Sequence, residues 1–110
     1  MDTEITQVAM QIILHAGDAR TQLEKALGEA EDGNFHKVDQ LMEEARDNII
    51  LAHNSQTALI QEEARGNHHE FSMLFTHAQD TMMTIQCELR ITQHIIKILR
   101  RLYNKNLLNF

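Results

Sequence analysis

His77 and Asp80 stand three residues apart within the run His77-Ala78-Gln79-Asp80-Thr81-Met82, and on a helix that spacing makes them neighbours on one face. Histidine changes charge near neutral pH and its neutral ring is a nucleophile; a nearby carboxylate can tune it or hold a cation beside it. His-x-x-Asp also arises by chance on many helices, so the pair takes its meaning from the elements that carry it.

The other reactive side chains are weaker candidates. His68 and His69 fall in a predicted loop and are expected to be a solvent-exposed pair without a role. His36 belongs to the first turn of a second helix, and His15 and His53 to the edges of apolar stripes, as hydrogen-bonded boundary residues. None of the seven histidines has Glu three positions before it, so the Glu-x-x-His pair of di-iron bundles is missing. There is no His-Glu-x-x-His zinc motif, no phosphate-binding glycine loop and no Gly-x-Ser-x-Gly elbow. The single cysteine, Cys87, makes no intrachain disulfide and is read as packing, like the six methionines.

The elements that must position His77 and Asp80 follow from composition and period. The 110 residues suffice for one domain spanning 1–110 with a modest core. Proline is absent, glycines number four and aromatic residues make up 5%, which favours long helices in an all-α fold. Gly33-Asn34 and Gly66-Asn67 read as helix-ending glycines, each followed by an asparagine N-cap. Before the first, Ile5, Ala9, Ile12, Ala16, Ala19, Leu23, Ala26 and Ala30 form a heptad-like stripe, and between the two, Val38, Met42, Ala45, Ile49, Ala52, Gln56 and Leu59 form a second. Gly17, beside Ala16 and Ala19, is expected to let another helix approach closely. Short connections make the helices antiparallel, giving an up-down-up three-helix bundle.

The third segment carries two stripes. One is Phe71, Phe75, Ala78, Met82, Ile85, Leu89, Thr92, Ile96, Leu99 and Tyr103; the other is Met73, His77, Asp80, Thr84, Cys87, Ile91, His94, Ile98 and Leu102. A helix in a three-helix monomer needs one broad apolar face. The second stripe therefore predicts burial against further copies, with the third helices near the symmetry axis and His94 buried there. On a three-fold axis three Asp80 carboxylates would converge and repel, unless some are protonated or a cation binds. The plainer alternative, Asp80 facing solvent or capping a broken helix, stays open on the residues alone.

Charge narrows the partners. The net charge of −6 gives no general attraction to nucleic acid or anionic lipid. Up to Ala64 there are 13 acidic and 4 basic residues, and from Arg65 onward 3 and 6. Lys97, Arg100, Arg101 and Lys105 fit a helix C-terminus, where cations suit the macrodipole. The opening Met1-Asp2-Thr3-Glu4 is acidic, so no secretory signal is expected, and no stretch is apolar enough to cross a bilayer; an intracellular protein is expected.

Ala16-Gly17-Asp18-Ala19-Arg20, Gly33-Asn34-Phe35, Ala52-His53-Asn54-Ser55-Gln56-Thr57 and His77-Ala78-Gln79-Asp80 occur in that order. In these four segments the chain, from about Ile5 to Tyr103, resembles the IIA component of the lactose/cellobiose (N,N′-diacetylchitobiose) family of the bacterial phosphoenolpyruvate-dependent sugar phosphotransferase system. The resemblance implies a homotrimer of three-helix protomers, nine helices in all, in the cytoplasm. It implies that His77 is phosphorylated by the carrier protein HPr and passes the group to a cysteine of the IIB component, beside the membrane IIC component. It also implies that Asp80, one from each of three protomers, binds a divalent metal such as Mg2+, with Gln79 orienting the site, and that the sugar is a β-linked disaccharide. Thr81 departs from the family pattern, which often has a second histidine there. A two-component phosphotransfer module would carry His-x-x-Lys-Gly, which is absent here; a non-catalytic helical adaptor would tolerate loss of His77.

Overall fold

The computed structural model describes residues 3–106; Met1 and Asp2 of the acidic opening, and residues 107–110, lie outside the described part. Three helices follow one another, α1 (Thr3–Glu31), α2 (Phe35–Ala64) and α3 (Met73–Asn104). They form a rod of 57 × 20 × 18 Å.

Both glycine breaks work as expected. Gly33 sits at φ 77° and Gly66 at φ 96°, the left-handed region open to glycine at little cost. At the first, Asn34 N donates to Glu29 O (2.9 Å) and Gly33 N to Ala30 O (3.1 Å). At the second, Asn67 N donates to Glu62 O and Gly66 N to Glu63 O, both at 3.0 Å. Each set is the paired closure that satisfies the last carbonyls of a helix. The expected asparagine caps fare differently. Asn34 precedes α2, but its side chain makes no cap and instead donates to Glu29 Oε2. Asn67 starts no helix at all: α3 begins six residues later, behind Ser72, whose Oγ accepts from Phe75 N (3.1 Å).

The stripes place the core. Ile5, Ala9, Ile12, Ala16, Ala19, Leu23, Ala26 and Ala30 of α1 are all buried, and α1 packs against both other helices while α2 and α3 touch sparingly. Alanines let the helices come close, since interaxial distance follows side-chain size. Gly17 has no part in that approach within the chain. It is exposed, and a Cβ placed on it would meet nothing within 4 Å. One core cluster joins α1 to Val38, Met42, Ala45, Ile49, Ile85 and Ile96. A smaller one joins Ala9, Ile12, Ala52, Ala78 and Met82. Phe71, expected in the core stripe, is 83% exposed because it precedes the helix.

Polar ties fix the register. Arg20 of α1 donates through Nε and Nη2 to the two carboxylate oxygens of Glu88 in α3, at 3.0 and 2.8 Å. Those hydrogen bonds, with the Glu88 charge, hold the Arg20 guanidinium above its ordinary pKa. His15 Nδ1 donates to Asn48 Oδ1 (3.2 Å), and Asn48 Nδ2 to Gln22 Oε1 (3.0 Å). Far from His77, Arg100 pairs with Asp39 and lies 4.8 Å over the Phe35 ring.

Two opposite substitutions test this packing by urea unfolding. Gly17→Ala should stabilise the chain by about 0.5–1 kcal/mol, because the helix gains propensity without a clash. Ala16→Leu, one position away and fully buried, should destabilise it by about 1–3 kcal/mol through overpacking.

Candidate functional site

His77 lies in the second turn of α3, five residues after the Ser72 cap. The local sequence explains the start of the helix there. Ser72 is extended (φ −132°, ψ 117°), its hydroxyl takes the amide of Phe75, and its carbonyl accepts both the amide and the hydroxyl of Thr76 at 3.1 Å. Ala78 and Met82 then bury against α1 and α2, which turns His77 outward.

His77 and Asp80 are both exposed and, by helical spacing, share one face. Gln79 is half-buried and, two residues from His77, projects from another side of α3. The whole second stripe is uncovered: Met73, Thr84, Cys87, Ile91, His94 and Ile98 are exposed and Leu102 half-buried. Met73 is 76% exposed, Ile91 55% and Ile98 57%. Exposed apolar side chains aligned on one helix face are the kind of surface that protein–protein contacts cover. His94 and Cys87, read as packed at an oligomer contact, are thus open in the single chain.

Thr81 and Thr84 tie into the backbone of the site. Thr81 Oγ1 donates to the carbonyl of His77 and Thr84 Oγ1 to that of Asp80, both at 2.8 Å. Such back-bonds use the hydroxyl protons, so Thr81 donates to the His77 backbone. Among the described residues no three His, Cys, Asp or Glu side chains of one chain converge to hold a metal ion. The carboxylate oxygens of Asp80 suit a hard divalent cation, but one chain contributes one such group.

A profile of the family described as "PTS system, Lactose/Cellobiose specific IIA subunit" matches residues 7–100. The chain belongs to that family. It is 38% identical over 99 residues to a "PTS system lactose-specific EIIA component" of Lacticaseibacillus casei, covering 90% of this chain and 88% of that one. A lactose-specific EIIA component of Lactococcus lactis subsp. lactis is 39% identical over 98 residues, covering 89% and 93%. The crystal structure of the PTS cellobiose-specific enzyme IIA from Bacillus anthracis superposes with a TM-score of 0.88 at 37% identity, covering 96% of each chain. This IIA chain is thus a component of a sugar phosphotransferase system, and the three-helix bundle is its family's fold. Among its described residues no helix is long and apolar enough to cross a membrane.

The side chains of Glu62 and His69, which meet at the α2–α3 connection, escaped sequence reasoning. His69 is not solvent-exposed: its side chain is 10% exposed and its Nε2 lies 3.3 Å from Glu62 Oε2. His68, by contrast, is exposed as expected. The signal available was the seven-residue separation of Glu62 and His69 across Gly66, which becomes a contact only because the chain reverses there.

The cap can be tested directly. Ser72→Ala should cost about 1 kcal/mol and speed amide exchange at Phe75 and its neighbours, while exchange in the middle of α3 stays unchanged.

Proposed function

We propose that His77 is the phosphoryl acceptor of this IIA component, taking the group from the phosphohistidine of HPr and delivering it to a cysteine of IIB during uptake of a β-linked disaccharide. The observation that carries this reading is an exposed histidine on the uncovered stripe of α3, in a chain of this family, within the run His77-Ala78-Gln79-Asp80 that carries the resemblance.

The chemistry asks little of the protein beyond placement. A neutral ring nitrogen of His77 attacks phosphorus in line; the donor's N–P bond breaks as the N–P bond to His77 forms. In the next step a thiolate of IIB attacks the same phosphorus, and the His77 nitrogen leaves with its electron pair. An exposed residue on a helix suits this exchange, because both partners are proteins and must approach the same nitrogen.

The proposal includes a homotrimer formed through the second stripe of α3. Ile91 and Ile98 would leave water there, and the three Asp80 carboxylates would come together. Unpaired, they would repel; a divalent cation such as Mg2+ bound by the three would supply charge neutralisation. The half-buried Gln79 would steady the turn between His77 and Asp80 from the side of the bundle. The membrane IIC component would be reached through IIB, from the bacterial cytoplasm.

Intact mass after incubation with phosphoenolpyruvate, enzyme I and HPr tests the acceptor. The native chain should gain one acid-labile phosphoryl group and His77→Ala none; a gain that survives in the variant moves the acceptor elsewhere, and no gain in the native chain favours an adaptor role. Chelation should lower the melting temperature of the native assembly. Asp80→Asn should make that temperature indifferent to chelator and to added Mg2+, and an unchanged native value on chelation would remove the metal from the account.

A further inference from the structure

We propose that His69, held by Glu62, is a positioning residue for His77: their contact anchors the α2–α3 connection and thereby fixes the first turns of α3. The inference rests on the phosphocarrier reading of His77.

The connection leaves α2 at Gly66 and enters α3 at Ser72. Its side chains mostly face water: His68, Glu70 and Phe71 are exposed. His69 alone among these four turns in, and its Nε2 meets Glu62 Oε2 at 3.3 Å. An ionised carboxylate only accepts, so Nε2 carries the proton and donates. Ordering a side chain within a loop opposes conformational entropy, and this contact helps to offset it.

Glu62 is attached to the connection twice. Its backbone carbonyl accepts from Asn67 N at 3.0 Å, closing the end of α2, and its side chain holds His69 two residues further on. From His69 the chain has three residues in which to reach the Ser72 cap, about 10 Å when fully extended. The beginning of α3 is therefore confined to a short radius around Glu62.

That confinement matters because the core beneath it is thin. The cluster that holds this end of α3 has five buried members, Ala9, Ile12, Ala52, Ala78 and Met82, three of them alanines, with Val8, Ile13, Leu74 and Phe75 partly buried against it; the other cluster has eleven. Segments with few buried apolar contacts open locally at low free energy. His77 travels with those turns, and in-line transfer between two proteins tolerates little displacement of the attacking nitrogen.

The test compares Glu62→Ala, His69→Ala, their double variant and Glu62→Gln for uptake from phospho-HPr, with amide exchange over 73–77. The Glu62 side chain is 35% exposed, so its variants should keep the fold. Loss of either partner should lower kcat about tenfold with KM changed less than about twofold. The double variant should be no worse than His69→Ala alone, which already removes the contact. Glu62→Gln retains an acceptor and should restore uptake, and exchange at the start of α3 should quicken only where the contact is lost. A kcat for Glu62→Ala within about a factor of two of a normally labelled native chain overturns the inference. So does a loss confined to KM. A native chain that takes no phosphoryl group instead overturns the phosphocarrier reading, and positioning of a phosphoryl acceptor with it.

Discussion

A helix in a three-helix bundle can bury one broad face and no more, and α3 has a sequence that fills two. Everything else in this molecule is arranged around that limit. The first face, from Ala78 through Met82, Ile85 and Ile96, is used up against α1 and α2. The second, from Met73 to Ile98, is left in water together with His77 and Asp80. The same geometric surplus therefore offers a place for copies to meet and a place for a reactive nitrogen to be reached.

The bundle itself is built for a fixed register rather than for a large core. Five fully buried alanines on α1 bring the helices close, and close helices tolerate little sliding. The bidentate Arg20–Glu88 pair and the His15–Asn48–Gln22 chain add directional contacts between α1 and its neighbours. Their partly exposed setting makes them modest in stability, but each is satisfied at one register only. His77 inherits that precision through Ala78, whose methyl group is wholly buried one residue away. The buried cluster at the His77 end is the smaller of the two, and Ser72 and His69 make polar contacts just ahead of the first turns of α3.

Most of this was legible in the sequence. Period identifies core positions well when side chains are apolar and helices long, so nearly every stripe residue of α1 and α2 is buried as expected. Gly33 and Gly66 announced the helix ends because left-handed backbone favours glycine. What failed was local. Asn67 resembled Asn34 in its surroundings, yet the chain runs on to Ser72 before α3 can begin, and Phe71 is left outside the core with it. Gly17 suggested a close approach that the flanking alanines make instead. The His69–Glu62 contact had no periodic signal at all, since it depends on how a turn folds back. The family motif supplied His77 and Asp80; spacing alone showed only that they share a face.

The open stripe of α3, with His77 and Asp80 on it, is the surface on which we propose that copies of this chain meet. Native mass spectrometry of the full chain and of Ile91→Asp tests this most directly. The native protein should have a three-chain mass and the variant should give single chains of unchanged helicity, since Ile91 is exposed in the lone protomer and a buried unpaired charge would oppose assembly. A native protein that stays a single chain, or a variant that still assembles in threes, would contradict it.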